Sequence, residues 1–207
     1  MSSIWFDRPI LALAALLAPA TLLALPTPAQ TPERVSLAGQ LLIASPTIAD
    51  PRFDRTVILM VHHDRNGALG IIVNLPMEER PLASLLEMLG EKSPKVEGKV
   101  RIFAGGPVQP AMGFVVHSAE YHRPGTIDID GRVAMTSSRE ILLDISNDRG
   151  PKKSLVAFGY AGWGPGQLKG ELGRRAWFTA PAEPKLIFDE DRDEVWDEAM
   201  KRRTRDL

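Results

Sequence analysis

Four histidines, His62, His63, His117 and His122, are the side chains best suited to acid–base or metal chemistry in this sequence. An imidazole titrates near neutrality and binds divalent metals. His62-His63-Asp64 lies at the end of a β-branched run, and strand alternation sends adjacent side chains to opposite faces. The two imidazoles therefore cannot share one metal ion unless the strand end bends. The zinc-helix pattern H-E-x-x-H is missing. An enzyme using His63 or His117 with Asp50 or Asp64 needs the fold to bring those groups together; otherwise they are hydrogen-bonded or solvated imidazoles. A serine nucleophile needs a positioned base. The elbow G-x-S-x-G is absent, and Ser45 before Pro46 and Ser118 after His117 have no recognisable setting. No residue is assigned a catalytic or metal-binding role on these grounds, and no cofactor is assigned. With no cysteine, thiolate nucleophiles, disulfides and cysteine-bound metals are excluded.

Two glycine clusters are the other candidates. Gly105-Gly106-Pro107 follows the apolar run ending at Phe103-Ala104, and Gly159 through Gly166 surrounds Trp163. A glycine turn before a helix can aim backbone amides at an anion. Neither cluster matches G-x-G-x-x-G or the P-loop. The competing reading is that glycine permits tight turns and close backbone packing under Trp163. Lys201, Arg202, Arg203 and Arg205 close the chain behind the acidic run 189–194, a charge order that stabilises a helix from both ends.

These residues must be positioned by short elements. Residues 37–44 form an apolar stretch broken by Ser45-Pro46, and Asp50-Pro51 marks a turn. Residues 56–62 and 68–74 read as two strands joined through Asp64-Arg65-Asn66-Gly67, with Asn66-Gly67 the hairpin signal. Pro81 at a first helical position, then Leu82, Leu85, Leu86 and Leu89, predict a helix ended by Gly90. Further strands are expected at 99–103, 113–117, 126–130, 132–136 and 154–160. Ser137-Ser138-Arg139-Glu140 has the form of a capping box, opening a helix to Asn147. A glycine turn at 162–166 leads to a short helix at 167–173, and a terminal helix spans 192–203. Hairpins with interspersed helices, lacking regular βαβ alternation, predict an α+β fold: one compact domain with a mixed, barrel-like β-sheet flanked by helices.

The 207 residues are 44% hydrophobic and 25% charged, as in ordinary globular chains. Lys plus Arg is 25 against 26 Asp plus Glu, a formal net charge of −1. This balance argues against a nucleic-acid partner, whose binding draws on surplus cations. Residues 1–29 differ from the rest. A sixteen-residue uncharged run, 10–25, follows Arg8 and precedes Pro26-Thr27-Pro28-Ala29. That layout predicts a secretory signal peptide, with Gln30 starting an exported mature chain in the periplasm or cell envelope. The alternatives are a retained anchor or a mis-chosen start, which would leave the chain in the cytoplasm. No later run is long enough to span a membrane, which takes about 20 apolar residues.

Five ordered segments together resemble one family. They are Gly39-Gln40-Leu41-Leu42-Ile43-Ala44, Asp50-Pro51-Arg52-Phe53, and His63 with Gly67-Ala68-Leu69-Gly70-Ile71-Ile72-Val73-Asn74. The fourth is Gly105-Gly106-Pro107-Val108 with Gly113-Phe114-Val115-Val116-His117. The fifth is Gly159-Tyr160-Ala161-Gly162-Trp163 with Gly166-Gln167-Leu168, Glu171-Leu172 and Trp177. From residue 37 onward the sequence is similar to the YqgE/AlgH family, whose domain would be residues 30–207. The resemblance implies a compact α+β domain with a barrel-like sheet, no established enzymatic activity and no known cofactor. It also carries a transcriptional-regulator label connected with alginate production. No recognition-helix pattern or basic stripe supports direct DNA contact, and export would prevent a role on chromosomal DNA. The usual members lack an export signal. The chain also departs from the family pattern at Leu75, at Ala111-Met112 and at Lys169. The candidate ligand- or partner-binding residues are Asp50, His63, Asn74, Gly105, Gly106, His117, Trp163, Gln167 and Glu171. The expected role is a non-catalytic binding or regulatory protein of the envelope with an unidentified protein or small-molecule partner. The alternatives are a cytoplasmic transcriptional regulator, acting on DNA or through a partner, and a hydrolase or metal-dependent enzyme using His63 and His117.

Overall fold

A computed structural model describes residues 36–91 and 96–204. The predicted signal segment, 1–29, lies outside the described residues. Ten strands build the fold: β1 (Gln40–Ala44), β2 (Val57–Asp64), β3 (Gly67–Ile72), β4 (Pro76–Pro81), β5 (Lys99–Ala104), β6 (Val108–Ser118), β7 (Ile127–Asp128), β8 (Val133–Thr136), β9 (Ser154–Trp163) and β10 (Trp177–Pro181). Among the described residues four short α-helices accompany them: α1 (Leu82–Met88), α2 (Glu140–Ser146), α3 (Gln167–Gly173) and α4 (Val195–Lys201). The strands run in the order β10-β1-β2-β3-β9-β6-β8-β7, with β5 also paired to β9 and β4 paired to β5. All pairings are antiparallel except β5 with β9. The α+β expectation of a mixed, curled sheet with flanking helices is met.

Strand alternation explains why β1 and β2 are continuously apolar. Leu41, Ile43, Val57, Leu59 and Val61 face the inner core, where Trp196 and Ala199 of α4 cover them. Leu42, Ala44, Ile58 and Met60 face the outer side and pack with Trp163, Leu168 of α3 and Trp177. A third cluster joins Leu82, Leu85 and Leu86 of α1 and Ile141 and Leu142 of α2 to Ile102, Val115 and Val156. A strand buried on both faces has no polar alternation left to show. Each buried Leu, Ile or Val contributes about 1.5–3 kcal/mol. The Trp196 indole N–H donates to the Ala44 carbonyl at 2.9 Å and locks α4 onto β1.

Strand β9 holds the molecule together by changing partners halfway. Strand β6 pairs with it from Ser154 to Phe158 and again at Tyr160, while Val156–Phe158 also pairs with β5. Ala161–Trp163 pairs with β3. The change occurs at Gly159, where φ is +74°. Gly105 and Gly106 press against this bend. A Cβ on Gly105 would sit 2.4 Å from the Gly159 carbonyl oxygen, and one on Gly106 would sit 2.1 Å from the Tyr160 carbonyl carbon. Between these backbones, the Gly105 N–H donates to Phe158 O at 2.7 Å and Gly105 O accepts from Ile72 N–H at 2.9 Å.

Several expectations need correction. The β2–β3 hairpin forms, but Arg65-Asn66 is its loop and Gly67 already pairs with Asp64. The Asp64 carboxylate closes the turn by accepting from the N–H groups of Asn66 and Gly67. Pro81 ends β4 and caps α1 from outside with extended geometry, not as its first helical residue. The capping box is rearranged. Arg139 is the cap residue and is itself helical, and the Ser138 hydroxyl, not that of Ser137, bonds Glu140. Gly162 and Trp163 belong to β9, so the turn is shorter than predicted. Helix α4 begins at Val195 because Arg192 turns inward. Its guanidinium donates to the carbonyls of Val73, Ile187 and Glu190, tying down a single wide turn at Lys185–Asp189. Strands β4 and β10 had no counterpart in the sequence reading.

Candidate functional site

The nine candidate residues fall into separate places, and most of them hold the backbone. Helix α3 presents Gln167 and Glu171 on one face, between Trp163 at the end of β9 and Trp177 at the start of β10. One Glu171 oxygen accepts both indole N–H groups, from Trp163 at 2.9 Å and Trp177 at 2.8 Å. The other accepts from the Gln167 amide at 2.9 Å, and Gln167 in turn accepts from Gly164 N–H at 3.1 Å. Burial pushes the Glu171 carboxyl up, but the donors Trp177, Gln167 and Trp163 outweigh it and hold its pKa below the usual value. The indoles meet edge to face at 5.9 Å. This carboxylate is saturated and acts as a clamp between three elements.

Asp50 accepts from the backbone and guanidinium of Arg52 at the turn Pro51–Phe53, and that guanidinium lowers its pKa. Asn74 imitates a strand residue. Its amide oxygen accepts from Val57 N–H at 2.8 Å and its amide nitrogen donates to Arg55 O at 2.9 Å. Gly105 and Gly106 serve the β9 bend described above.

His117 is fully buried. Its Nδ1 lies 3.0 Å from the Ser118 carbonyl, so Nδ1 carries the proton and Nε2 accepts from the Thr136 hydroxyl at 2.9 Å. The Thr136 oxygen meets Thr126 Oγ1 at 2.9 Å, which accepts from Arg123 N–H. Both ring nitrogens are thus engaged inside the protein, against the edge of Tyr121. Burial lowers the His117 pKa, more than the Ser118 carbonyl and Glu120 raise it. His63 lies elsewhere, at the end of β2, with Nδ1 accepting from Leu37 N–H at 3.1 Å. His62 and His63 line different clefts, one on each side of the hairpin. The His63 cleft, about 290 Å³, also contains Gly164 and Gly166, so the second glycine turn borders a cleft. Among the described residues no three His, Asp or Glu side chains are grouped to hold a metal ion.

A different feature was missed in the sequence. Met77, Met88, Met112, Leu75 and Leu89 are exposed by 63%, 64%, 44%, 42% and 38%. Met77 and Met88 border an apolar cavity of about 360 Å³ over Ile102 and Phe158. Leu89 and Met112 border a second, of about 200 Å³, over Val156 and Phe158. The cavities share Leu85, Ala111 and Phe158, forming one groove between α1 and residues 110–113 of β6. Gly106 lies on its floor beside the β9 bend. Of the exposed large apolar side chains, Leu75 and Ile127 line neither cavity. Soluble domains rarely expose contiguous apolar surface without a partner for it. The available signal was that Met88 falls off the Leu82-Leu85-Leu86-Leu89 stripe. Of the departures from the family pattern, Ala111-Met112 lies in this groove.

A family model described as AlgH-like matches residues 41–207. A UPF0301 protein of Jannaschia sp. (strain CCS1) is 46% identical over 80% of this chain and 87% of its own length. The solution structure of the AlgH protein from Pseudomonas aeruginosa is 37% identical, with a TM-score of 0.69 over 84% of this chain and 92% of that one. A crystal structure of a Corynebacterium diphtheriae protein, 23% identical with a TM-score of 0.63 over 81% and 87%, shares the fold.

His117 gives the stability a defined pH dependence. Its folded pKa is depressed, so its contribution is complete above the unfolded value, about 6.5, and is lost as pH falls through the folded value. Urea unfolding from about pH 8 down to about pH 5 should show falling stability below about pH 6.5. His117→Gln should flatten that part of the curve; an equally steep curve in the variant would contradict the assignment.

Proposed function

The chain belongs to the AlgH-like family, and from that premise we propose that it works by binding, through the methionine-lined groove between α1 and the 110–113 segment of β6. One observation carries this reading: apolar side chains that the fold itself does not bury converge on one concave surface. The polar candidates point the other way. Glu171, Asn74, Asp50 and His117 spend their hydrogen-bonding capacity on neighbouring protein groups. Methionine is unbranched and polarizable, so a surface built from it adapts to partners of different shape. Removing such side chains from water on binding is favourable by about 25 cal/mol per Å².

The dye 1-anilinonaphthalene-8-sulfonate reports on this surface. The double variant Met77→Gln, Met112→Gln should reduce dye fluorescence several-fold while changing unfolding free energy by no more than about 0.5 kcal/mol. Ile127→Gln, outside the groove, should leave the dye signal unchanged. Equal dye signals in all three proteins would contradict a binding groove.

We also propose that the protein is exported and acts in the cell envelope, on the strength of the uncharged run 10–25 behind Arg8 and ahead of Pro26-Thr27-Pro28-Ala29. Mass analysis of the protein isolated from its native cell should give a chain beginning at Gln30. A chain beginning at Met1 in the soluble cytosol would refute export.

A further inference from the structure

We propose that the cleft between β5 and the wide turn Lys185–Asp189 binds a small organic carboxylate, its head held by Arg192 and Arg101 and its apolar body laid on Phe103, Ile187 and Phe188. This site is separate from the methionine-lined groove and does not depend on the groove reading.

The cleft has a volume of about 590 Å³. Lys99, Arg101 and Phe103 are alternate residues of β5, so they share one face of that strand. All three line the cleft, together with Ile187, Phe188 and Asp189 of the wide turn. Phe103 and Ile187 are buried members of the inner core, and Phe188 packs against it. The cleft therefore has an apolar wall beside its charged one.

Arg192 gives the cleft its chemistry. It is 9% exposed and lines the cleft. Its Nε and Nη2 donate to the Glu190 carbonyl, and its Nη1 donates to the carbonyls of Val73 and Ile187. These bonds use four of the five N–H groups of a guanidinium. All the acceptors are neutral, and Arg192 has no ion pair among the described residues. A buried charge without a paired opposite charge is costly. Burial is the largest cause pushing the Arg192 pKa down; Glu190 opposes it, Arg101 adds to it, and Asp191 and Asp189 oppose it more weakly. An anion in the cleft offsets both the burial and the like charge of Arg101.

The lining sets Lys99, Arg101 and Arg192 against Glu79, Asp189 and Glu190, a formal charge of zero. The two signs are not equally committed. Each carboxylate already has a cation: Glu79 has Arg101 at 3.4 Å, Glu190 has Lys185 at 3.2 Å, and Asp189 has Lys153. Lys153 and Lys185 come from outside the lining, which leaves Lys99 and Arg192 without a carboxylate partner among the described residues. The Glu79–Arg101 pair is more than half exposed on both sides. Such pairs contribute little, so Arg101 is able to turn to a bound anion. With Asp189 and Glu190 in the same lining, a singly charged carboxylate is tolerated better than a doubly charged phosphate. The apolar wall favours an organic acid over an inorganic anion.

The test is a ligand-observed NMR titration of the full chain at low salt with hexanoate, hexanol, hexylamine and hexyl phosphate. Hexanoate should bind about tenfold more tightly than hexanol or hexyl phosphate, and hexylamine should not bind. Arg101→Gln should weaken hexanoate binding about tenfold, and Asp189→Asn, which removes a carboxylate from the lining, should tighten it about threefold. Both side chains are exposed, so these variants keep the fold, whereas Arg192→Gln would also release the carbonyls that Arg192 ties down. Met77→Gln with Met112→Gln, and Arg139→Gln, change the groove and should leave hexanoate binding unchanged. Equal binding of hexanoate and hexanol overturns the role of charge. Tighter binding of hexyl phosphate than of hexanoate overturns the carboxylate class. Hexanoate binding that survives Arg101→Gln but is lost in the groove variants overturns this cleft and leaves the groove reading intact. No hexanoate binding overturns the inference, and the dye measurement on the methionines then still decides the groove by itself.

Discussion

Backbone-to-backbone contact at the bend of β9 is the constraint on which this fold depends. Side chains normally keep strands apart, yet Gly105 and Gly106 meet Gly159 and Tyr160 with no space for a Cβ. That approach lets one strand exchange β5 before the bend for β3 after it, while β6 pairs with it on both sides of the bend. The sheet curls around an inner core closed by α4, and two outer faces are left for α1 with α2 and for α3. Gly106 and Phe158, on either side of this contact, also form part of the groove floor. The element that curls the sheet therefore also fixes where the apolar groove lies.

The polar and apolar features of the molecule play opposite parts. A carboxylate holding two indoles and an amide, or an imidazole whose two nitrogens are both engaged, is satisfied within the protein. Such groups specify the fold, because losing one partner leaves another buried polar atom unpaired, at about 1–3 kcal/mol. The exposed methionines bury little of their surface inside the protein, although the Met88 sulfur accepts from the Arg80 guanidinium at 3.2 Å. They leave water only when something else covers them. This asymmetry moves the functional reading from the histidines and glycines toward α1 and its facing segment of β6.

Much of the architecture was legible in the sequence. The β2–β3 hairpin announced itself through two β-branched runs and a short polar turn, although the loop proved to be Arg65-Asn66. Helix α1 was visible through its leucine spacing, α2 through the Ser137-Ser138-Arg139-Glu140 pattern and α3 through the glycine turn before it. Strand β4 was hidden because its sequence, PMEERP, is bracketed by prolines and exposed along its length, so no burial pattern is imprinted on it. Arg192 read as the start of the terminal helix, whereas the carbonyls of nearby Glu190 and Ile187 and of distant Val73 draw its guanidinium inward. The candidate residues were legible as special positions, the glycines and histidines with a structural reading beside the functional one, but their partners were not. Their partners come from elsewhere in the chain: Arg55 and Val57 for Asn74, and Thr136 for His117. The groove was not legible, because exposure of Met77, Met88 and Met112 emerges only when the strands around them are placed.

The most direct test separates close approach from backbone conformation. Gly105 has an ordinary φ but no space for a methyl group, while Gly131 has a φ of +75° and open space around it. Urea unfolding of Gly105→Ala and Gly131→Ala measures the two effects apart. A packed glycine junction predicts a loss of about 2 kcal/mol or more for Gly105→Ala and about 1 kcal/mol for Gly131→Ala. A Gly105→Ala protein as stable as the Gly131→Ala protein would contradict it.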